Sequence, residues 1–430
     1  MDITVDLKNP CHVNTNNEGD RFVGIKADTT DAVVYFPVGY QLPDDRRQLR
    51  QDILHLFQIL SEFTDNTNKV LAMKKFEAPQ TVDFPINAYL EVINYYMINN
   101  GYYVEKEVAF QTADRGSIDW AKTFRRNPAM IQGNNSLVYT QYTVRKSTPN
   151  ANKEITRIHK YCVYESFNKL GWLFTPDMPE KPDGKIDITR SVAILRDKLA
   201  GTNNDNLKTL FKSMIDMLMY IDEKTSEKQF YFGTDYFERV WEKLIDRVFG
   251  IKNKKDYFPR SRWLLKGKRG AKEKYPLEPD TIMIRRDETG EKIYVLDAKY
   301  YRYGITGNPA HLPDASSINK QITYGEYIAQ QQKAPAESIF NAFLMPYNAH
   351  PDEEKRIFDF DGNFENIGMA VGDWKDGHAP YERIMGILVD TRYLMYHYTG
   401  NPEKHITALA QSIEKAFQEN DGLLPKMPSD

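Results

Sequence analysis

The chain has 430 residues, with 57 Lys or Arg, 60 Asp or Glu and a formal net charge of −3. At about 150 residues per domain this length predicts two or three domains, and the ordinary apolar and charged content argues against wholesale disorder. Cys11 and Cys162 show no CxxC spacing, which argues against a zinc cluster or a disulfide framework and fits a reducing cytosol. With no signal-peptide pattern and no apolar run near ~18 residues, we expect a soluble, cytoplasmic protein without a membrane partner.

Short strands and amphipathic helices alternate in the first 180 residues. In chain order, the patterns predict a strand at 32–40, helices at 44–63 and 85–99, and a strand at 102–110. A stretch rich in Pro, Asp and Gly at 175–185 is the best candidate for a domain boundary, or else a long loop inside one domain. We therefore predict an N-terminal α+β region at 1–180, with a partner-binding or DNA-binding role.

Helices and strands alternate again in the rest of the chain. The predicted elements are helices at 188–198, 207–221 and 235–249, a hairpin at 279–299, a helix at 318–332, strands at 338–345, 366–371 and 383–389, and a last helix at 405–418. Mixed strands with flanking helices predict the fold class α/β, a mixed β-sheet covered by helices. We assign this layered domain to 181–430.

The predicted hairpin carries the most informative residues. Two apolar, β-rich segments, Thr281–Ile284 and Ile293–Leu296, flank an Asp-Glu-Thr-Gly sequence at 287–290, which is favourable turn chemistry. A turn centred in this tetrapeptide places Asp280 opposite Asp297 across the two strands. A slip of the register by one residue would separate them.

These two acids predict a site for a divalent cation. Asp297 and Lys299 are two residues apart in a strand and therefore share one face, which makes Lys299 the third member of the group. Facing carboxylates repel unless a positive charge lies between them, and hard cations prefer oxygen ligands. The alternative is a pair of surface acids at strand ends, with Lys299 as their salt-bridge partner.

A third acid is expected from the helix at 235–249. Glu238 and Glu242 are four residues apart and lie on one helical face, so either could reach the metal directly or through water. We prefer Glu238, which follows an aromatic residue at the start of the helix. For both residues the alternative is a solvated helix face.

The segment 252–274 is the most basic part of the chain. It holds ten Lys or Arg and two acids, with three aromatic residues interleaved. Its position before the hairpin suits contacts with DNA phosphates, for which Lys266, Lys268 and Arg269 are the candidates. The alternative is a solvated charged loop.

The spacing from Pro279-Asp280 to Asp297-Ala298-Lys299 resembles the PD-(D/E)XK nuclease superfamily. This resemblance implies a restriction-endonuclease-like core in which Asp280, Asp297, the carbonyl of Ala298 and Glu238 bind Mg²⁺. It also implies that Lys299 orients or deprotonates the attacking water and stabilises charge on the phosphate.

A further set of residues lies on the helix that follows the hairpin. In nucleases of this kind a Gln or Lys here lies beside the metal site and contacts a substrate phosphate. The resemblance thus points to Lys320, Gln321 and Tyr324, which occupy neighbouring helical positions. A polar helix face is the alternative on spacing alone.

The segment Asp114–Thr123 contains the pattern Gly-x-Ile-Asp-Trp-x-x-Thr, which is similar to one in the nuclease subunits of McrBC-type restriction systems. Together with LEPDTIM, VLDAKYYRYG and KQITYGEYI, it makes the chain resemble the LlaJI restriction endonuclease family. The resemblance implies a companion AAA+ GTPase that reads the DNA site, and a cognate methyltransferase. For Asp119 and Trp120 themselves we expect a turn with a buried Trp.

These features together predict a restriction endonuclease that hydrolyses phosphodiester bonds of foreign double-stranded DNA with Mg²⁺. The expected nucleotide-binding subunit is a separate protein, because this chain contains no GxxxxGK[ST] sequence. A non-catalytic DNA-binding or assembly subunit with a nuclease-like fold is the alternative, against which the intact Asp-Asp-Lys set argues.

Overall fold

The computed structural model of the protein describes residues 10–27, 32–71, 84–133, 136–184, 186–223, 230–266, 271–273, 276–288, 290–375, 377–400 and 402–423. These residues form two compact units. The first unit contains residues 84–223, and the second contains residues 10–71 together with 230–423. The predicted boundary near 180 lies inside the first unit, and the roles assigned to 1–180 and 181–430 stay predictions.

The helices and strands alternate along the described chain. The helices are α1 Arg46–Leu71, α2 Ile86–Ile98, α3 Trp120–Arg126, α4 Glu154–Leu170, α5 Ile188–Gly201, α6 Asp205–Glu223, α7 Phe237–Phe249, α8 Tyr303–Thr306, α9 Ala315–Gln331, α10 Thr391–His397 and α11 Pro402–Glu419. The strands are β1 Cys11–Val13, β2 Val23–Ala27, β3 Ala32–Phe36, β4 Glu105–Ala113, β5 Ser117–Ile118, β6 Met130–Ile131, β7 Leu137–Val138, β8 Tyr142–Asn150, β9 Phe230–Thr234, β10 Arg262–Leu264, β11 Ala271–Glu273, β12 Thr281–Asp287, β13 Gly290–Ala298, β14 Ile339–Tyr347, β15 Phe364–Val371 and β16 Arg383–Asp390.

A five-stranded mixed sheet forms the centre of the second unit, which confirms the predicted α/β class. Its strand order is β12-β13-β14-β16-β15, with β13, β14 and β16 parallel and the two edge strands antiparallel to their neighbours. Helix α9 covers one face, where Tyr324 and Ile328 pack on Ile282 and Val295. Tyr294, which points the opposite way from Val295, reaches Glu414 of α11 on the other face.

The second unit also contains a four-stranded sheet in the order β1-β3-β2-β9 and a two-stranded sheet of β10 and β11. The strands of the four-stranded sheet come from both chain segments of the second unit: β1, β2 and β3 lie in residues 10–71, and β9 begins the segment 230–423 and precedes α7. Strands β2 and β9 approach closely at Gly24 and Gly233, where a Cβ on Gly24 would lie 2.1 Å from the carbonyl oxygen of Phe232. The sheet therefore connects the N-terminal residues with the helix that carries Glu238 and Glu242.

The first unit combines the helices α2 and α4–α6 with a small antiparallel sheet, β4-β8-β5. Helix α3 begins at the Asp-Trp pair, where the carboxylate of Asp119 accepts a hydrogen bond from the backbone N of Lys122 at 2.9 Å. Asp119 is thus a helix N-cap. The expectation of a buried Trp was wrong: Trp120 is 51% exposed and packs edge-on against Tyr142.

A buried histidine makes the stability of the first unit sensitive to pH. His159 is fully buried, and its Nδ1 accepts a hydrogen bond from the backbone N of Tyr103 at 2.8 Å. Burial lowers the pKa of His159 to about 3. Because the unfolded chain then binds the proton more tightly, stability is complete above the unfolded pKa of 6.5 and falls as pH drops toward 3.

We therefore expect the first unit to lose about 2 kcal/mol between pH 7 and pH 5 through His159 alone. Hydrogen–deuterium exchange of peptides from α4 across this pH range measures the loss. His159→Gln keeps an acceptor for Tyr103 and cannot ionise, so its pH dependence should be flatter. An equal loss in the variant would assign the effect to other groups.

Within the described ranges, no helix has the length and hydrophobicity needed to cross a membrane.

Candidate active site

The hairpin has the register predicted from its turn. Thr281 pairs with Leu296, and Asp287 pairs with Gly290 at the turn. Asp280 immediately precedes β12 and Asp297 is the second-last residue of β13, so the same register brings the two acids opposite each other. Apolar side chains buried on both faces of β12 and β13 hold this register against slippage.

The two carboxyl groups lie together in a protected position. Asp297 is 4% exposed, and Asp280 accepts a hydrogen bond from the backbone N of Ala298 at 2.9 Å. Burial, and after it the charge of Asp297 and a hydrogen bond with that residue, raise the pKa of Asp280. The site therefore strongly disfavours two bare negative charges side by side.

Lys299 lies beside this pair, as its spacing predicted. Its Nζ is 2.6 Å from Oδ2 of Asp297, and the lysine side chain is 17% exposed. Burial alone would lower the pKa of Lys299, but the carboxylates of Asp297 and Asp280 outweigh it and raise that pKa. Lys299 is thus a cation at neutral pH, with one of its N–H donors engaged by Asp297.

Of the two candidate glutamates, Glu242 is the one whose charge is coupled to the acid pair. Burial first, then the charges of Asp297 and Glu238, raise the pKa of Glu242. The pKa of Glu238 is raised by burial, and the charges that act on it are those of Arg239 and Arg21. The arrangement favours Glu242 over Glu238, and the choice of Glu238 as a metal ligand stays a prediction without this support.

The donor set fits Mg²⁺ held by two carboxylates. In the described part of the chain, no group of three or more His, Cys, Asp and Glu side chains is arranged to hold a metal ion. Mg²⁺ commonly binds one or two carboxylates and completes its shell with water and substrate phosphate. A dication would also offset the burial and the charge of Asp297 that raise the pKa of Asp280.

Lys254 and Asp246, which were not predicted as site residues, fix the backbone at Asp280 through hydrogen bonds. The Nζ of Lys254 donates to the carbonyl of Asp280 and, at 2.8 Å, to the carboxylate of Asp246 on α7. The hydroxyl of Thr281 donates to the same carboxylate at 3.2 Å. Helix α7 thus holds the start of β12 through a polar network. A lysine in a basic loop gives no sequence signal for this function.

The three α9 residues expected to bind substrate differ in their exposure to solvent. Gln321 is 1% exposed and its Nε2 donates to the carbonyl of Val295 at 2.7 Å, and Tyr324 is fully buried with its hydroxyl donating to the carbonyl of Glu278 at 3.0 Å. Both side chains are buried and bonded to backbone carbonyls, so the structure does not support direct contact of Gln321 or Tyr324 with a DNA phosphate. Lys320 is exposed and remains a candidate for phosphate contact.

The basic segment is described in part. Lys266 is exposed, as a phosphate contact requires, while Lys268 and Arg269 lie outside the described residues.

Asn16 and Val38 form hydrogen bonds with Tyr300, next to the strand end that carries the site. The backbone N of Val38 donates to the hydroxyl of Tyr300 at 2.7 Å, and Nδ2 of Asn16 donates to the carbonyl of Tyr300 at 3.1 Å. Tyr300 follows Lys299 directly and is buried against Phe237 and Trp241 of α7. The site thus lies on segments of the second unit that Tyr300 connects through hydrogen bonds and aromatic contacts.

Known proteins resemble the chain over most of its length. It is 26% identical over 341 residues to the type II restriction enzyme BsuMI component YdjA of Bacillus subtilis strain 168, which covers 76% of this chain and 71% of that protein. Among solved structures it is similar, at 13% identity and a TM-score of 0.34, to a chain of the refined half-complex from the tetradecameric assembly of Thermococcus gammatolerans McrB AAA+ hexamers with bound McrC. This similarity covers 92% of the present chain and 83% of that chain. A TM-score this low does not establish a common overall fold. The model of the LlaJI restriction endonucleases matches residues 22–372, and the chain belongs to the LlaJI restriction endonuclease family.

Proposed function

We propose that this protein is the nuclease of a restriction system and hydrolyses phosphodiester bonds of double-stranded DNA with Mg²⁺. The observation that carries the proposal is the half-buried Asp280 beside the buried Asp297, with Lys299, at one end of a single hairpin. Family membership supports a nuclease, and the PD-(D/E)XK assignment forms part of the proposal.

The residues of the candidate site have different roles in the proposed reaction. Asp280 and Asp297 would hold Mg²⁺, with the carbonyl of Ala298 as a further oxygen donor, and Glu242 would act on the ion through water. When bound, Mg²⁺ would neutralise charge on the phosphate and on the leaving oxygen. Lys299, a cation in this site, donates hydrogen bonds that orient the attacking water and stabilise charge developing on the phosphate.

A companion subunit is the second part of the proposal. The relative from Bacillus subtilis is described as a component of its restriction enzyme, which supports an assembly of more than one chain. The resemblance to McrBC-type systems implies an AAA+ GTPase for that role, and a restriction system also implies a methyltransferase that protects host DNA. Both partners would be separate proteins.

The proposal is tested by cleavage of unmethylated plasmid DNA with the purified chain, alone and with the products of neighbouring genes. We expect nicking or linearisation that requires Mg²⁺ and stops with a chelator. Specific DNA binding without any cleavage in all these mixtures would instead assign the chain to a non-catalytic assembly role.

Glu242 and Glu238 provide a matched pair of test residues on one helix face. Glu242→Gln should lower the apparent affinity for Mg²⁺ by about tenfold, because outer groups that orient a bound ion commonly have effects of this size. Glu238→Gln, of similar burial, should change it little. Cleavage rates measured over a range of Mg²⁺ concentrations decide between them, and the reverse order of effects would make Glu238 the third acid.

A further inference from the structure

The β10–β11 ribbon, made of Arg262–Leu264 and Ala271–Glu273, precedes the candidate site in the chain, and the three residues of β10 are exposed. Its strands are antiparallel, with Trp263 opposite Lys272. Side chains of successive strand residues point to opposite faces, yet Trp263 is 60% exposed and Leu264 is 77% exposed. Neither face of β10 is therefore covered by the described part of the protein.

The exposed apolar surface continues past the strand and is surrounded by cations. Leu265 is 42% exposed, and Arg260, Arg262 and Lys266 are exposed on either side of it. None of these three cations forms a salt bridge within the described residues. An isolated two-stranded ribbon is marginally stable in water, so apolar residues on both of its faces indicate a bound partner.

The base of the ribbon is fixed close to the acid pair. The backbone N of Leu277 donates to the carbonyl of Pro259 at 2.9 Å. This hydrogen bond joins the two chain segments that lead into and out of the ribbon, and we call Pro259 and Leu277 its neck. Leu277 lies three positions before Asp280 in the chain, a span of at most about 11 Å. Ile251 is also hydrogen-bonded to Ile282 of β12, which fixes the segment leading into the ribbon. The neck thus lies within about three base pairs of the candidate cleavage point along a duplex.

We infer that the β10–β11 ribbon enters the major groove of the DNA next to the scissile phosphate. A two-stranded ribbon fits a groove about 12 Å wide, and apolar side chains there contact thymine methyl groups and base edges. Trp263 and Leu264 provide those contacts, and the surrounding cations bind the flanking phosphates. The excess of ten Lys or Arg over two acids in 252–274 favours a polyanion over a protein partner.

This inference rests on the proposed nuclease function, and duplex binding by the full-length chain tests it. With Mg²⁺ omitted, Trp263→Ala combined with Leu264→Ala should weaken duplex binding by about tenfold and leave its salt dependence unchanged. Arg262→Ala combined with Lys266→Ala should weaken binding and reduce the salt dependence. Methyl green, which occupies the major groove, should compete with the chain, whereas netropsin in the minor groove should not. Trp374→Ala, a Trp that is 57% exposed in the same unit, is the matched control and should bind normally.

The outcomes separate this inference from the function on which it rests. Wild-type binding and cleavage combined with unchanged binding by the Trp263 and Leu264 variant would overturn the ribbon assignment alone. A chain that neither binds nor cleaves duplex DNA, alone or with the products of neighbouring genes, would overturn both. If the variant binds DNA normally but loses self-association in sedimentation, the ribbon is an interface between copies of this chain and the inference is wrong.

Discussion

Asp280→Asn should lower the rate of DNA cleavage by about 10³-fold, because one of the two proposed carboxylate ligands is lost and metal-ion stabilisation contributes several kcal/mol. The fold should persist. In the wild-type protein without metal, ionised Asp280 is destabilising, since burial and the charge of Asp297 raise its pKa. Stability present at low pH is therefore lost as pH rises from the ordinary value of 3.8 through the raised native pKa.

The variant removes this loss, so without metal it should melt at the wild-type temperature or higher at neutral pH. Asp287→Asn is the control at the other end of the hairpin, where Asp287 lies 3.4 Å from Lys292. It should lower stability and leave cleavage intact. Wild-type cleavage by Asp280→Asn would remove the acid pair from the reaction.

Lys299→Ala should lower turnover by about 10²-fold or more while Mg²⁺ binding is kept, because an ammonium group has no lone pair to offer a metal. Its removal leaves the buried Asp297 without the partner now 2.6 Å away. Without metal the variant should therefore lose about 2–4 kcal/mol of stability. Mg²⁺ should restore much of this loss, because the ion would replace the missing positive charge.

Lys292→Ala in β13, the strand that ends just before Lys299, is the matched control, because Lys292 pairs with Glu414 at 2.9 Å and its side chain is 21% exposed. It should lose stability that Mg²⁺ does not restore, and it should cleave DNA normally. Thermal melting with and without Mg²⁺, calorimetric Mg²⁺ titration and single-turnover cleavage distinguish the two lysines. Normal cleavage by Lys299→Ala, or a melting loss that Mg²⁺ fails to reverse, would reduce Lys299 to a structural salt bridge.

The hairpin is a part of this protein whose strand pairing and side-chain positions could be predicted from the sequence. A turn of favourable chemistry, placed between two apolar segments, specifies the pairing of Thr281–Asp287 with Gly290–Leu296. The positions of Asp280, Asp297 and Lys299 follow from that pairing, because side-chain direction in a strand alternates with fixed period. The α/β class and most long helices were predicted for the same reason, since their apolar periodicity is strong.

Side-chain positions that depend on tertiary contacts could not be predicted from the sequence in this way. Gln321 and Tyr324 occupy polar-looking positions of α9, yet both side chains turn inward to bind backbone carbonyls of neighbouring segments. Glu238 and Glu242 lie on one helix face, and only the packing of α7 on the hairpin distinguishes them. The grouping of residues 10–71 with 230–423 likewise arises from contacts distant in sequence.

Metal-directed backbone cleavage tests the central claim, that a divalent ion binds between Asp280 and Asp297 where DNA is cut. Fe²⁺ with ascorbate and hydrogen peroxide replaces Mg²⁺ in the full-length chain, and the hydroxyl radicals that the bound Fe²⁺ forms by reducing peroxide cut the nearby polypeptide. We predict fragments that end close to residues 280 and 297–299, that are suppressed by excess Mg²⁺ and that are absent in Asp280→Asn. Fragments that map elsewhere, or that persist unchanged in Asp280→Asn, would contradict the account.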